Sequence, residues 1–382
     1  MTRTLTVLFG TRFLRAAAFG VATVLVAIHL ERLGVDPRLI GLTLTLGVLS
    51  ASLFGLGAAW LAARVGRRLS LAVSGALMAL CGLDLAFATQ SWILVLAGAT
   101  GMLGIAGADV GAFSSVEQAA LAQVIPQQHH AIVFGRYALA GGLGFAAGSF
   151  AALVGVTLPA THWLFIGYAV VGVLSAGAAL LLDDIESPAP GRSAKRAALP
   201  RSIYELAALF ALDSFAGGLV VQGFIVYWLH VRFGVDAQTL GPAVAFMSLA
   251  QAASFEVSGR LAQRFGSIRT MVFTHLPSNV LLIAVPLCPT LTAALTVLVM
   301  RFAIAQMDVP ARQALIASLA PPEARDRAAA LAAGARGIAQ TPGPTLAGAA
   351  VQVGALAAPF FLAGILKIVY DVVLYVRHRD LR

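Results

Sequence analysis

This chain is poor in charge. Of its 382 residues only 11% are Asp, Glu, Lys or Arg, against 59% hydrophobic, and the mean hydropathy is +0.88. A water-soluble domain carries roughly 25% charged residues. One aqueous core cannot hide so much apolar surface, so lipid must solvate most of the chain. Acidic residues are scarcer than basic ones, 17 against 26, for a net charge of +9. That excess lacks the basic stripe interleaved with aromatics that suits nucleic acid, which is excluded as a partner. Two cysteines, Cys81 and Cys288, stand in or beside apolar runs. They supply neither a disulfide framework nor a metal spacing. There is no G-x-x-x-x-G-K-[ST] phosphate loop, which excludes ATP chemistry. There is no nucleophile–base pair and no His-rich metal set, so an enzyme is not expected and no cofactor is implied. His129-His130 has no third ligand nearby. A signal peptide is also missing: Arg12 and Arg15 interrupt the first apolar run, which is expected to remain as a helix.

What the chain has in abundance is apolar runs of membrane-spanning length, each needing about 20 residues. Twelve lie near 5–30, 40–63, 69–88, 92–122, 132–156, 162–182, 203–230, 239–262, 270–287, 291–317, 328–352 and 357–376. They are numbered segments 1 to 12 below. One long polar connection, residues 183–201, separates segments 6 and 7. It divides the chain into an N-terminal six-helix bundle (1–182), a linker (183–201) and a C-terminal six-helix bundle (202–382). Loop arginines and lysines set the orientation. Arg3, Arg64, Arg67, Arg68, Arg192, Lys195, Arg196, Arg201, Arg264, Arg269, Arg325, Arg327, Arg377, Arg379 and Arg382 fall on one side, and Arg32, Arg38 and Arg232 on the other. Both termini and the linker are therefore expected in the cytoplasm, with the protein integral to the cytoplasmic (inner) membrane.

The two halves repeat. Arg32, Gly34, Val35, Asp36 and Gly41 match Arg232, Gly234, Val235, Asp236 and Gly241 at a constant offset of 200. The basic turn Leu61-Ala-Ala-Arg64-Val-Gly66-Arg67-Arg68 is echoed by Leu261-Ala-Gln-Arg264-Phe-Gly266 at the same offset. Asp109-Val110 matches Asp308-Val309, and Arg136 and Gly148 match Arg336 and Gly348. Parallel repeats of this kind place a substrate site at their interface, near the bilayer midplane.

These features resemble the major facilitator superfamily. Its loop signature between helices 2 and 3 reads G-x-L-A-D-R-x-G-R-R, and Ala59-Trp-Leu-Ala-Ala-Arg64-Val-Gly66-Arg67-Arg68 matches the second part. The signature's Gly is Ala59 and its Asp is Ala63; the second half keeps Gly259 but has Gln263 at the acidic position. Segment 11 carries Gly337-Ile-Ala-Gln-Thr-Pro-Gly343-Pro344-Thr-Leu-Ala-Gly348, similar to the Gly-Pro motif that drug exporters carry in helix 5. The resemblance implies an all-α membrane protein with twelve transmembrane helices in two pseudo-symmetric bundles. It also implies that segments 1, 4, 7 and 10 line a central cavity.

Charges at membrane depth cost a few kcal/mol each on insertion scales, so each needs a partner or water. Segment 4 carries Asp109 and Glu117; segment 10 carries Arg301, Asp308 and Arg312 on one face; segment 1 has Arg12 and Arg15; segment 7 has Asp213 and Gln222. Two readings stay open. In one, Asp109, Asp308, Arg301, Arg312, Asp213, Arg15, Glu117 and Gln222 line a substrate and proton cavity, the two aspartates exchanging a proton and the arginines holding an anionic group. In the other, Asp308–Arg312 and Arg15–Asp213 are static pairs. Arg12 and Arg15 are expected to snorkel to the cytoplasmic surface. Glu117 is expected to contact Arg136. Lys367 and Asp371, four apart on segment 12, are expected to pair with each other. Gating is assigned to Arg64, Gly66, Arg67, Arg68, Glu256, Arg264, Gly266 and Arg136.

The expected function is secondary active transport by a monomer, moving a small-molecule substrate with H+ by alternating access. Export comes first because of the Gly-Pro motif; uptake of a small, anionic organic solute is the alternative. A non-transporting membrane receptor or assembly factor is the alternative of another class. The paired carboxylates supply a test. Asp109→Asn and Asp308→Asn each abolish proton coupling in reconstituted vesicles, and wild-type rates in both across pH would end that assignment.

Overall fold

The computed structural model describes residues 2–104, 112–125, 130–182, 185, 199–321 and 325–378. These residues form sixteen α-helices and no strand. In chain order they are α1 (Thr2–Arg32), α2 (Pro37–Val65), α3 (Arg67–Phe87), α4 (Ser91–Ala99), α5 (Ala112–Val124), α6 (His130–Ala151), α7 (Leu158–Leu180), α8 (Arg201–Gly218), α9 (Gln222–Phe233), α10 (Ala237–Phe265), α11 (Ser267–Ala284), α12 (Leu291–Ala305), α13 (Asp308–Leu319), α14 (Arg325–Gln340), α15 (Gly343–Gln352) and α16 (Ala358–His378). They correspond to the twelve expected segments. Segments 4, 7, 10 and 11 each comprise two helices. Eight helical stretches among the described residues are long and apolar enough to cross a bilayer.

Glycine and proline account for the divided segments. Segment 7 leaves the helix after Gly217-Gly218, where backbone entropy disfavours continuation. In segment 10, Pro310 has no N–H for the Gln306 carbonyl. The helix therefore stops, and Asp308 opens α13 in the first turn, where proline is tolerated and a carboxylate meets the positive end of the helix dipole. Segment 11 divides at Thr341-Pro342 for the same reason, with Pro344 in the first turn of α15. In segment 4 the chain leaves α4 through Gly101 and Gly104, at φ 68° and 67°.

The described chain forms two compact units. The first comprises Met1–Gly191 with Gln222–Ala245, the second Arg192–Val221 with Phe246–Arg382. In the first, α1 packs chiefly on α6 and α3 on α7. In the second, α8 packs chiefly on α14 and α11 on α16. These are the same pairings one repeat later. The basic turn repeats in geometry as well as sequence: Gly66 and Gly266 both cap helices at φ 89° and 86° with ψ 157°. An L side chain is strained at that φ, which explains why the placed residue of the turn is glycine.

The helix pairs are drawn together by small residues. Along α6, Gly148 lies against the backbone of Ala17, and a methyl at Gly148 would meet the Ala17 Cα at 2.7 Å. Between α3 and α7, a methyl at Gly75 would meet the Ala176 nitrogen at 2.6 Å, and one at Gly172 the Ala79 nitrogen at 2.5 Å. Gly10, on α1, faces open space. Gly148→Val is therefore expected to destabilise the protein by about 1–3 kcal/mol through overpacking, read as a lowered Tm in detergent. Gly10→Ala should hold or raise the Tm, and equal Tm values for the two variants would refute the close-packing account.

Candidate functional site

Among the described residues, the larger set of buried polar groups lies inside the second unit. Its centre is Asp213 on α8, on the same helix as Phe210 and Ile203, which anchor the apolar core of that unit. Lys367 on α16 donates to Asp213 Oδ1 at 2.6 Å. The imidazole of His275 on α11 places Nε2 3.7 Å from the same oxygen. The other ring nitrogen, Nδ1, lies 3.0 Å from Asp371 Oδ1 on α16. Asn279, one turn along α11, donates to Asp371 Oδ2 at 2.8 Å. From the far side Arg312 on α13 donates to Asp308 Oδ2 at 2.6 Å and approaches Asp213 Oδ2 at 4.0 Å. On α14, Arg336 Nε donates to Ser214 Oγ at 2.9 Å, beside Asp213 in sequence. Asp213, His275, Asp308, Arg312, Lys367 and Asp371 are all buried.

Arg301, on α12, is also buried, and its Nε has no hydrogen-bond partner among the described residues. Its guanidinium lies 5.4 Å from the centre of the Phe302 ring. With Lys367, Arg301, Arg312 and Arg336 against Asp213, Asp308 and Asp371, the cluster carries one more cation than anion when His275 is neutral. Such a set can take up an anion, or rearrange around an added proton.

A second, smaller set lies inside the first unit. Arg12 and Arg15 do not snorkel: each is only 3% exposed. Arg15 donates to Glu117 Oε2 at 2.5 Å, and the Tyr137 hydroxyl donates to the same oxygen. The Arg15 guanidinium stacks 4.1 Å from the Phe113 ring centre, and that of Arg12 4.9 Å from the Tyr137 ring. A counter-charge and two aromatic faces at depth remove the reason to reach the surface. Glu117 thus pairs with Arg15 and Tyr137 rather than with Arg136, whose side chain is exposed.

The other expectations divide as follows. Asp308 and Arg312 do pair within their helix. Arg15 takes Glu117, and Asp213 takes Lys367. Lys367 and Asp371 do not pair with each other: α16 packs on both α8 and α11, which offer each charge a better-placed partner than its helical neighbour. Gln222 is half-buried at the start of α9. Arg64 and Arg264 are exposed. Arg67 donates to Gln123 and to the Ile185 carbonyl, the latter at 2.9 Å, and Arg68 to the Leu180 carbonyl. Asp109 lies outside the described residues, as does the side chain of Glu256. The sequence reading missed His275, Asn279 and Arg336. Their signal was a polar side chain near the middle of an apolar segment.

A third set closes the end of α1. Arg32 donates to Asp236 Oδ1 at 2.8 Å and to the Gly155 carbonyl at 2.9 Å. Beside it His230 Nε2 lies 3.1 Å from Glu31 Oε2. All of these residues belong to the first unit. Arg32 and Asp236 are members of the repeated Arg-x-Gly-Val-Asp motif, so the motif of one repeat pairs with that of the other.

A family model for the Major Facilitator Superfamily matches residues 8–307 and 209–381. An uncharacterized membrane protein of Saccharomyces cerevisiae is 23% identical over 418 residues, covering 98% of this chain and 93% of that one. The fold is similar to that of the nucleoside transporter NupG, with a TM-score of 0.79 at 12% identity, covering 98% of this chain and 99% of that one. It is also similar to a D-xylose-proton symporter, with a TM-score of 0.76 at 13% identity and 97% of both chains covered. The human organic anion transporter MFSD10 gives a TM-score of 0.68 at 16% identity, covering 98% and 99%. With twelve apolar segments, two repeats and this match along its length, the chain belongs to the Major Facilitator Superfamily and is an integral membrane protein with a transporter fold.

Proposed function

We propose that this protein is a proton-coupled secondary transporter for a small organic solute bearing an anionic group. The two six-helix halves, residues 1–182 and 202–382, are the moving bodies, joined by a cytoplasmic linker at 183–201. They expose a central site alternately to each face of the cytoplasmic membrane. The observation that carries this reading is the buried charge cluster around Asp213, with its excess cation and the unpartnered Arg301 Nε. A buried ion pair gains little stability over apolar side chains of similar volume. A cluster of seven charged groups is therefore expensive scaffolding and economical chemistry only if its charge state changes during work. The name of one structural neighbour, an organic anion transporter, agrees with the anionic solute; that of another, a proton symporter, agrees with the coupling ion.

Export remains the first reading of direction, and uptake of an anionic solute the second, which the spare arginine favours. In either direction the Arg32–Asp236 and Glu31–His230 contacts hold the non-cytoplasmic end shut and must part when that end opens. The basic turn of the first repeat, Arg64, Gly66, Arg67 and Arg68, and its echo at Arg264 and Gly266 serve the opposite end, with Arg136 and Glu256 beside them.

The test is accumulation of radiolabelled solutes in proteoliposomes under an imposed pH gradient, using small carboxylic acids and phosphorylated compounds beside neutral sugars. An anionic solute is expected to accumulate, and Arg301→Gln to lower its accumulation about tenfold or more, the effect of losing one charge-assisted hydrogen bond. Accumulation of neutral solutes alone would refute the anion reading. Asp236→Ala should speed maleimide labelling of a cysteine placed at Leu33. Unchanged labelling would remove the outer contacts from the gating scheme.

A further inference from the structure

We propose that His275, held between Asp371 and Asp213, is the proton-binding group through which this protein is coupled to the pH gradient. The idea rests on the transporter reading above, and assigns the proton to the α11–α16 interface rather than to Asp109 or Asp308. The first argument comes from the repeat. At the offset of 200, His275 corresponds to Gly75 and Asn279 to Ala79. In the first unit that helix pair is closed by Gly75, Ala79 and Gly172 in backbone contact. The fold therefore needs no polar group at these positions. In the second unit the same pair carries an imidazole, an amide and a carboxylate, all buried. Polar groups added to an interface that closes without them are costly at membrane depth and mark a functional site.

The second argument is geometric. A neutral imidazole has one N–H and one lone pair. With Nδ1–H donated to Asp371 at 3.0 Å, the Nε2 lone pair faces Asp213 Oδ1 at 3.7 Å, too far for a hydrogen bond. A proton arriving from water binds Nε2 and turns it into a donor. The imidazolium then draws Asp213 towards itself and competes with Lys367, whose ammonium holds that oxygen at 2.6 Å. No bond other than N–H forms; on release the proton returns to water and the Lys367–Asp213 pair reforms. The rearrangement crosses three helices, α8, α11 and α16. Arg312 and Asp308 on α13 feel it through Asp213, and Arg301 on α12 is the nearby cation without a fixed partner for Nε. The Tyr370 ring packs edge-on against the imidazole at 5.9 Å, and its hydroxyl has no partner among the described residues.

The third argument concerns yielding. Pro277 lies inside α11, between His275 and Asn279. It supplies no N–H to the Phe273 carbonyl, so the helix is loosened one turn around the imidazole. Asn279 Oδ1 and Ser278 Oγ are buried without a partner among the described residues. Such atoms give an incoming water a place to bond.

The experiment uses the full chain in lipid with 15N-labelled histidine, the His275 ring signals being those lost in His275→Gln. Over a scanned range of pH, solid-state NMR should show the ring passing from one neutral tautomer to the doubly protonated form. Maleimide labelling of a cysteine at Leu33, with Cys81 and Cys288 replaced by serine and His230 by glutamine, should change about threefold or more across the same range. The change should vanish in His275→Gln. A ring that stays neutral throughout overturns the proposal, and the transporter reading survives if labelling still responds to a solute that accumulates. A ring that titrates while labelling is constant also overturns it, because the proton then moves nothing. Restored pH response in His275→Gln with Asp308 intact would return the proton to the segment 10 carboxylate and equally overturn the assignment.

Discussion

Everything in this molecule follows from the cost of a bare charge in hydrocarbon. Most of the chain avoids that cost by carrying no charge for twenty residues at a time. Where charges do occur at depth they are gathered, and several find a counter-charge on a neighbouring helix. Arg15 with Glu117 and Tyr137, and Lys367 with Asp213, are the two clearest cases. The apolar helices supply the wall, and small residues draw them close enough for short side chains to meet across it. In α1 and α6 the approach at Gly148 brings Arg12 and Arg15 against Tyr137 and its neighbours. The packing and the electrostatics are one arrangement.

The two repeats spend this arrangement differently. Both pair their first helix with their fifth and their third with their sixth. In the first repeat the third-to-sixth pair is sealed by glycine and alanine. In the second the same pair holds His275, Asn279 and Asp371. Symmetry in the backbone with asymmetry in the side chains is what a carrier requires. Under the proposed function, rocking needs two similar bodies, whereas binding one proton and one solute needs charges that are not duplicated. The divided segments fit the same picture, since Asp308 stands at a helix start created by Pro310, and Asp213 lies within one turn or two of the Gly217-Gly218 break.

The fold was legible from the apolar runs and from glycines whose role does not depend on neighbours. Gly66 and Gly266 were identifiable because a repeated basic turn needs a residue tolerant of positive φ, and both adopt it. Partner choice was not legible. Lys367 and Asp371 look self-paired along one helix because sequence spacing shows only intrahelical neighbours; the packing of α16 on α8 and α11 sends them to different partners. Arg15 and Glu117 are 102 residues apart, so the counter-charge that keeps Arg15 buried could not be read locally. Pro310 and Pro342 divide their segments, yet an apolar run of spanning length reads as one helix until the freed carbonyls are placed.

The account's central claim is that the buried charges of the second unit serve coupling and not merely cohesion. The Lys367–Asp213 pair separates these roles. Lys367→Met alone takes the closest counter-charge from buried Asp213, which should lower the Tm. Adding Asp213→Asn removes that carboxylate's charge and should restore the Tm, since neutral replacement of a buried pair costs little. The decisive measurement is pH-driven solute accumulation by this double variant. The account requires that the refolded, heat-stable double variant still exchange solute down its gradient but fail to concentrate it. Accumulation at the wild-type level would contradict the claim and reduce the cluster to scaffolding.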